Sequence, residues 1–273
     1  MKYVVVTGAY GGMGYATVQA LKNNGYTVFA LDRNVKDKEE NVLPIQTDVT
    51  DFSSVQNAFE TVKSITNSVD AIVHFAGVYM LDSLLEIPEG DFDTIFKVNV
   101  YGACYVNKCF APLLKKGAKI VLTTSELAPL NPLPFTGLYA VTKSALDKYA
   151  FALKMEMQLL GVFVSVLRAG AVATGMLGVS TTALDKFCES TAVYQCNARR
   201  FRKIVNGVEA KHIPPEKIAS KTLKILQKKK PKFAYAINRN KLLRLLGVLP
   251  KRMQFFVIRK ILKNKEQGND TEI

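Results

Sequence analysis

A tyrosine and a lysine lie four residues apart in the segment Tyr139-Ala-Val-Thr-Lys143. Residues at this spacing are neighbours on one face of a helix, so the lysine ammonium can lie beside the phenol. An adjacent positive charge favours the ionised phenol, whose ordinary pKa is about 10. The pair is therefore predicted to exchange protons as a general acid or base near neutral pH. The alternative is a surface pair without a catalytic role.

Two polar residues earlier in the chain could join this pair. Ser125 closes an apolar run that reads as a strand, so its hydroxyl can hold and polarise a substrate oxygen at the end of that strand. Asn99 lies inside a predicted helix, although asparagine is a poor helix former. Both are candidates for the same site.

The first residues of the chain predict a phosphate-binding turn. A β-branched run from Lys2 to Thr7 leads into Gly8, Gly12 and Gly14, and apolar residues at helical spacing follow. Glycines let the backbone approach a ligand closely, and the N-terminus of the helix offers unpaired N–H groups to a phosphate. The alternative is a tight connection between a strand and a helix with no ligand.

An acidic residue follows the second predicted strand, 26–31. Asp32 follows that strand directly. Its spacing from the glycines is close to the one that lets a carboxylate accept a hydrogen bond from a ribose 2′-hydroxyl. Asp32 is therefore a candidate for coenzyme selection, and the alternative is a solvated aspartate in a turn.

Strands alternate with helices along the rest of the chain, which predicts a single α/β domain with a doubly wound parallel sheet. Pro44 weakens the third strand, because proline is confined to sheet edges. The later strands are largely apolar without alternation, as a sheet covered on both faces requires. The predicted strands are 42–46, 71–75, 118–124, 161–167 and 233–237, and the long helices are 91–114 and 136–160.

These motifs together resemble the short-chain dehydrogenase/reductase family over residues 1–240. The strand exit Ala76-Gly77 is similar to the end of the family's NNAG motif, with His74 and Phe75 in place of the asparagines. His74 is expected near the cofactor. The other matches are Thr7, Gly8, Gly12 and Gly14 to TGxxxGxG, Asn99 to the helix asparagine, Ser125 to the strand serine, Tyr139 and Lys143 to YxxxK, and Gly170, Val172 and Thr174 to PGxxxT, where Ala169 replaces the proline.

The resemblance implies hydride transfer between NAD(H) and a secondary alcohol or ketone. It makes Asn99, Ser125, Tyr139 and Lys143 the catalytic residues, with Asn99 fixing a water in a proton relay. NAD is expected over NADP because Asp32 would repel the 2′-phosphate of NADP. The argument against this expectation is Arg33, whose guanidinium could turn toward such a phosphate. The alternatives are a scaffold that senses the dinucleotide without turnover and a membrane-associated binding protein. The implied cofactor contacts are Thr7, Gly8, Gly12, Met13, Gly14, Asp32, Asp48, Val49, Ala76, Gly77, Asn99, Tyr139, Lys143, Gly170, Val172 and Thr174.

Residues 176–212 correspond to the family's variable substrate lid. Apolar residues in the lid favour a hydrophobic substrate, and ordinary packing of the lid is the alternative. With the apolar, cationic C-terminus, the lid resembles the branch that acts on hydroxysteroids and retinoids. The lid residues concerned are Met176, Leu177, Leu184, Phe187 and Tyr194.

The net positive charge of the chain comes from its C-terminal quarter. Residues 1–198 hold 16 Lys/Arg and 18 Asp/Glu, whereas 199–273 hold 21 and 5. Residues 241–273 form a basic amphipathic extension, which suits peripheral contact with a membrane or a groove on a partner. The alternative is a helix that packs over the substrate pocket. Nucleic acid is not an expected partner, because no recognisable binding module is present.

The helix 136–160 carries apolar residues at helical spacing. In the resembling family this helix pairs across a two-fold axis, so a homodimer or homotetramer is expected. A cytoplasmic protein with four reduced cysteines and no metal site is expected, because the cysteines form no CxxC pair and only two histidines are present. No signal peptide or membrane span is expected. The apolar residues on the helix are Leu146, Tyr149, Leu153, Met157 and Leu160.

Overall fold

Seven parallel strands form one sheet in the order β3-β2-β1-β4-β5-β6-β7. The computed structural model describes residues 2–207 and 212–263, and all side chains within them except those of 176–180 and 206–207. The strand order reverses between β1 and β4, where doubly wound sheets open a ligand crevice at their carboxyl ends. The strands are β1 (Lys2–Thr7), β2 (Tyr26–Asp32), β3 (Val42–Gln46), β4 (Val69–His74), β5 (Leu114–Ser125), β6 (Phe163–Ala169) and β7 (Ala234–Ile237).

Helices cover both faces of this sheet, which confirms the predicted doubly wound α/β fold. Helices α1 and α8 pack on one face, and α2, α4 and α5 pack on the other. Successive residues of β1 are fully buried on opposite faces, as the apolar strands predict. The helices are α1 (Gly12–Lys22), α2 (Phe52–Ile65), α3 (Glu89–Phe96), α4 (Gly102–Phe110), α5 (Gly137–Met157), α6 (Gly175–Ser190), α7 (Gln195–Gly207), α8 (Pro215–Gln227), α9 (Lys241–Val248) and α10 (Lys251–Leu262).

The long helix predicted over 91–114 is interrupted. A π-helical turn over Lys97–Tyr101 separates α3 from α4, and β5 already begins at Leu114. The turn widens the helix at the point where Gly102 packs against Val49, whose side chain would lie only 2.8 Å from a Cβ at that glycine. The sequence prediction was wrong here, because apolar spacing does not distinguish an α-helix from one that contains a π turn.

The apolar residues predicted on α5 mostly face the core. Leu146 and Met157 are buried against β5 and β6, with Tyr149 and Leu153 packed beside them. The apolar side chains that α5 exposes are instead Val141, Phe151 and Met155, while Leu160 lies in the 3-10 turn after the helix. Leu146, Tyr149, Leu153 and Met157 are therefore not free to form an association surface on this helix.

The substrate lid and the C-terminal extension pack on each other. Leu184 and Phe187 of α6 join Phe201 of α7 and Leu262 of α10 in one buried cluster. The Asn197 side-chain amide donates to the carbonyl oxygen of Leu262 at 2.9 Å. This burial supports ordinary packing of Leu184 and Phe187. The side chains of Met176 and Leu177 lie outside the described residues.

Candidate active site

Three predicted catalytic residues meet at the carboxyl end of β5. Ser125 ends that strand, and Tyr139 and Lys143 lie one turn apart on α5, which packs beside it. The Ser125 hydroxyl lies near enough to the Tyr139 phenol to favour its ionised form. The Lys143 Nζ lies 5.7 Å from the centroid of the Tyr139 ring and donates to the Thr123 carbonyl oxygen at 3.3 Å. The surface-pair interpretation is wrong, because Lys143 is buried.

Burial changes the expected acidity of this pair. It raises the pKa of Tyr139 to about 12, although the nearby Ser125 hydroxyl acts in the opposite direction. It also lowers the pKa of Lys143 to about 8, because the charged ammonium loses its hydration. The sequence predicted a lowered pKa for Tyr139, whereas burial raises it. The spacing of the two residues carries no information on how much water they lose.

Asn99 lies at the centre of the π-helical turn and is buried. Its side-chain oxygen accepts from the Val78 N–H at 2.8 Å, and its amide donates to the Val78 carbonyl at 3.0 Å and to Thr142 Oγ1 at 3.1 Å. A Cβ at Gly77 would lie 3.2 Å from Lys143 Nζ and 3.3 Å from this Asn99 oxygen. Asn99 thus fixes the chain after β4 beside Lys143, and its part in a proton relay stays a prediction.

A second part of the site lies at the glycine turn. Gly8 has a φ of +62°, and a Cβ there would lie 2.6 Å from the Ala76 nitrogen. No side chain caps the first turn of α1, which holds no acidic residue. Its N–H groups border a cavity of about 370 Å³ at the reversal of strand order. This is the arrangement that suits a phosphate anion.

The residues around this cavity fit a dinucleotide. Asp32 ends β2 at the cavity wall, where its two carboxylate oxygens accept from the backbone N–H groups of Tyr10 at 2.9 Å and Asn34 at 3.2 Å. The carboxylate is thereby held in place for a ribose hydroxyl. The cavity also contacts Gly8, Gly12, Met13, Gly14, Asp48, Val49, Ala76, Gly77 and Thr174, all of which the resemblance implied.

Four predicted residues lie behind the cavity wall. The Thr7 hydroxyl accepts from the Ala76 N–H at 3.4 Å, and Gly170 lies against the Asn238 carbonyl. Val172 packs in the core, and direct contact of Thr7, Gly170 and Val172 with a cofactor stays a prediction. His74 ends β4, as expected, and its buried ring faces α4, where its Nε2 lies 3.0 Å from the Asn107 side-chain oxygen. Its nearness to a cofactor stays a prediction.

Sequence reasoning missed several residues of the site. The Tyr79 ring lies 4.8 Å from that of Tyr139 and forms the wall beside the phenol. Phe135 has a φ of 65°, which is strained for a bulky residue, and its carbonyl accepts from the Asp82 N–H at 2.9 Å. Neither Tyr79 nor Phe135 belongs to a recognisable sequence motif. The other missed residues, which line the cavity, are Gly11, Thr47, Val78, Thr94 and Val98.

Comparison with known proteins gives relatives with named activities. The chain is 24% identical over 231 residues to a 3-ketodihydrosphingosine reductase of Bacteroides thetaiotaomicron, covering 84% of this chain and 85% of that protein. It is 33% identical over 193 residues to mouse estradiol 17-beta-dehydrogenase 2, covering 65% of this chain and half of that enzyme.

A solved structure agrees with the fold. An alcohol dehydrogenase from Thermococcus sibiricus, complexed with 5-hydroxy-NADP, superposes with a TM-score of 0.70 at 25% identity, over 87% of this chain and 96% of that one. The family model for short chain dehydrogenases matches residues 2–185. Since this match spans most of the chain, the protein belongs to the short-chain dehydrogenase family of oxidoreductases.

Proposed function

We propose that this protein transfers a hydride between NAD(H) and a hydrophobic secondary alcohol or the matching ketone. The observation that carries the proposal is the proximity of Ser125 and Tyr139 beside the buried Lys143, whose Nζ lies next to Gly77 in the wall of a cavity that fits a dinucleotide. The three side chains supply a hydrogen-bond donor, a proton carrier and a cation in one place.

The chain's own residues handle the proton and the substrate oxygen. Ser125 holds the oxygen, and Tyr139 takes the proton from an alcohol or gives it to a ketone. Lys143 has a pKa of about 8, so its ammonium is charged at neutral pH and favours the phenolate when the proton leaves. The wall formed by Tyr79 keeps water from one side of the phenol.

The glycine turn and the end of β2 would hold the cofactor. The first turn of α1 would bind its pyrophosphate, Asp32 its ribose, and Lys143 the ribose next to the nicotinamide. When bound, the nicotinamide supplies or accepts the hydride. Thr174 packs on Gly12 at the open side of this cavity and would contact the carboxamide.

Asp32 supports NAD over NADP, because a fixed carboxylate accepts from a 2′-hydroxyl and repels a 2′-phosphate. Arg33 lines the same cavity, and the solved relative carries an NADP analogue, so the choice needs a test. We expect Asp32→Asn to weaken NAD binding about tenfold, from loss of a charge-assisted hydrogen bond, and to narrow the preference for NAD. Titrating both coenzymes against this variant, with the exposed Asp37→Asn as control, measures the effect. Tighter binding of NADP than of NAD by the unaltered protein would contradict the assignment.

A hydrophobic substrate is supported by an apolar cleft and by the relatives. The cleft, of about 590 Å³, is lined by Leu84, Leu85, Phe135, Ile258 and Leu262. Phe135 lies one turn before Tyr139 and connects the cleft wall to the catalytic helix. The two curated relatives are named for a sphingoid base and a steroid, which are both hydrophobic.

Replacing the tyrosine tests the proposal. Tyr139→Phe is expected to lower turnover at least about a thousandfold while coenzyme affinity stays within a fewfold, because only the proton carrier is lost. Coenzyme absorbance measures turnover on a panel of steroid and long-chain secondary alcohols, and Tyr149→Phe on the same helix is the control. Retained turnover by Tyr139→Phe would refute the mechanism. Tight coenzyme binding without turnover on any alcohol would favour the non-catalytic scaffold.

A further inference from the structure

The C-terminal helices α9 and α10 expose an unusual number of large apolar side chains. On α9, Leu245 is 66% exposed and Val248 is 83% exposed. On α10, Phe255 and Phe256 are 71% and 64% exposed. Soluble surfaces rarely gather such side chains on consecutive helices, so this surface indicates an apolar contact outside the domain.

Cations surround these apolar side chains. Residues 241–263 hold seven Lys/Arg and no Asp/Glu. On α10 the helical spacing brings Arg252, Arg259 and Lys260 to the same outer face as Phe256. The ion pairs of the described chain lie elsewhere, at Lys22, Lys63, Lys97, Arg168 and Arg202. The positive charge of the two helices is therefore available to an external anion.

The inner faces of both helices are already fixed to the domain. Gly247 of α9 packs on Leu130, which would lie 2.8 Å from a Cβ at that glycine. On α10, the Gln254 oxygen accepts from the Asn131 amide at 2.9 Å, and its own amide donates to the Leu249 carbonyl at 2.7 Å. Leu262 is buried under α7. The outer apolar residues are thus held outward by a packed inner face.

We propose that the outer faces of α9 and α10, which we call the tail surface, dock on an anionic lipid bilayer. A bilayer matches both of its components, because acyl chains take the phenylalanines and leucines while lipid phosphates take the cations. A protein groove would need a matching acidic rim for charges that are spread over two helices. In the described residues, no helix is long and apolar enough to span a membrane, so the contact is peripheral.

The tail surface adjoins the apolar cleft. Ile258 and Leu262 of α10 line that cleft, whose opposite wall holds the exposed Leu84 and Leu85. A bilayer on the tail surface therefore lies next to the cleft mouth. The docking proposal stands without the catalytic assignment, because it depends only on the apolar and cationic residues of the two helices.

Flotation of the full chain with vesicles tests the docking. The probes are vesicles of phosphatidylcholine alone and vesicles with roughly a third phosphatidylglycerol. The protein is expected to float with the anionic vesicles at low salt and to dissociate at about 1 M salt, where the Debye length falls to about 3 Å. Failure to float with anionic vesicles at low salt would overturn the proposal.

Matched variants separate this surface from general basicity. Arg252→Gln with Lys260→Gln is expected to lower the partition coefficient about 30-fold, whereas Lys229→Gln with Lys230→Gln has little effect. Phe255→Ser with Phe256→Ser is expected to abolish flotation, and the exposed Val35→Ser with Ile65→Ser is the control. Equal losses in the tail and control pairs would overturn the assignment. So would a fall in molecular mass by light scattering for the phenylalanine pair, because the tail surface would then join two copies of the chain.

Discussion

Burial sets the protonation state of the ionisable side chains around the catalytic group. It raises the pKa of Tyr139, and it lowers the pKa of Lys143 to about 8 and that of His74 to about 4. His74 keeps one polar contact, with Asn107. The same low-dielectric environment that strengthens the catalytic hydrogen bonds therefore penalises charge on a neighbouring strand.

The lowered pKa of His74 predicts that the protein loses stability in acid. Its pKa is about 4 in the folded protein against an ordinary 6.5, so the unfolded chain binds more protons between these values and stability falls as the pH drops through that window. From pH 7 to pH 5 the free energy of unfolding is expected to fall by about 2 kcal/mol on account of this group. Urea unfolding of the protein and of His74→Asn at both pH values measures it.

The control for this prediction is His212→Asn, which removes the other histidine. The unaltered protein and the His212 variant are expected to lose more stability in acid than the His74 variant does. Equal pH dependence of all three proteins would show that His74 is not the group responsible.

At the scale of the residue, sequence reasoning predicted which side chains meet but not their environment. Ser125, Tyr139 and Lys143 were predictable because strand ends and helical spacing fix where they lie. The burial of Lys143 depends on packing between distant elements, and the strained backbone of Phe135 leaves no signal in residue type. Tyr79 was missed because it lies in an irregular segment between β4 and α3.

At the scale of the element, a largely buried ion pair joins β6 to α5, the helix that carries Tyr139, and a hydrogen bond adds β5, the strand that carries Ser125. Asp147 of α5 accepts from Arg168 of β6 at 2.9 and 2.7 Å, and from Thr124 of β5 at 3.3 Å. Asp147 lies one turn beyond Lys143. The contacts of Asp147 therefore hold α5, β5 and β6 together one helical turn from Lys143.

Asp147→Asn is expected to lower the free energy of unfolding by about 3 kcal/mol, because Arg168 keeps its charge in a largely buried place without a counter-ion. Denaturant unfolding measures the loss, and Asp93→Asn is the control, since it removes an exposed pair with Lys97 worth about 0.5 kcal/mol. Losses of equal size in the two variants would contradict the role given to the buried pair.

The bounds of strands and helices could be predicted where the residue pattern fits only one kind of element. Non-alternating apolar runs predicted the buried parallel strands. Pro44 made the third strand a weaker prediction, and the structure places β3 at the edge of the sheet, where proline is tolerated. The π-helical turn at Asn99 could not be predicted. It ends beside Gly102, which packs on Val49, and a contact between residues so far apart in the chain leaves no local pattern in the sequence.

At the scale of the whole molecule, we propose that α5 takes part in a homodimer or homotetramer. Its outer face exposes Val141, Phe151 and Met155. Tyr101, in the π-helical turn before α4, is also exposed. An isologous contact would cover the same residues on both copies.

Light scattering at micromolar concentration is expected to give the mass of a dimer or tetramer. Met155→Lys should lower that mass toward the monomer, since the charge would be buried in the contact. Phe255→Ser, on the tail surface, should leave the mass unchanged. A monomeric unaltered protein would remove the proposed association.

The central claim, hydride transfer at Tyr139, is tested most directly by following the hydrogen itself. A long-chain secondary alcohol and an estrogen, each deuterated at the carbinol carbon, are incubated with NAD and the full chain. Mass spectrometry of the reduced coenzyme should find one deuterium per turnover with at least one of the two alcohols, and the amount of deuterated coenzyme formed in a given time should fall at least about a thousandfold with Tyr139→Phe. Reduced coenzyme that carries only solvent hydrogen, or deuterium transfer in Tyr139→Phe at the rate of the unaltered protein, would contradict the account.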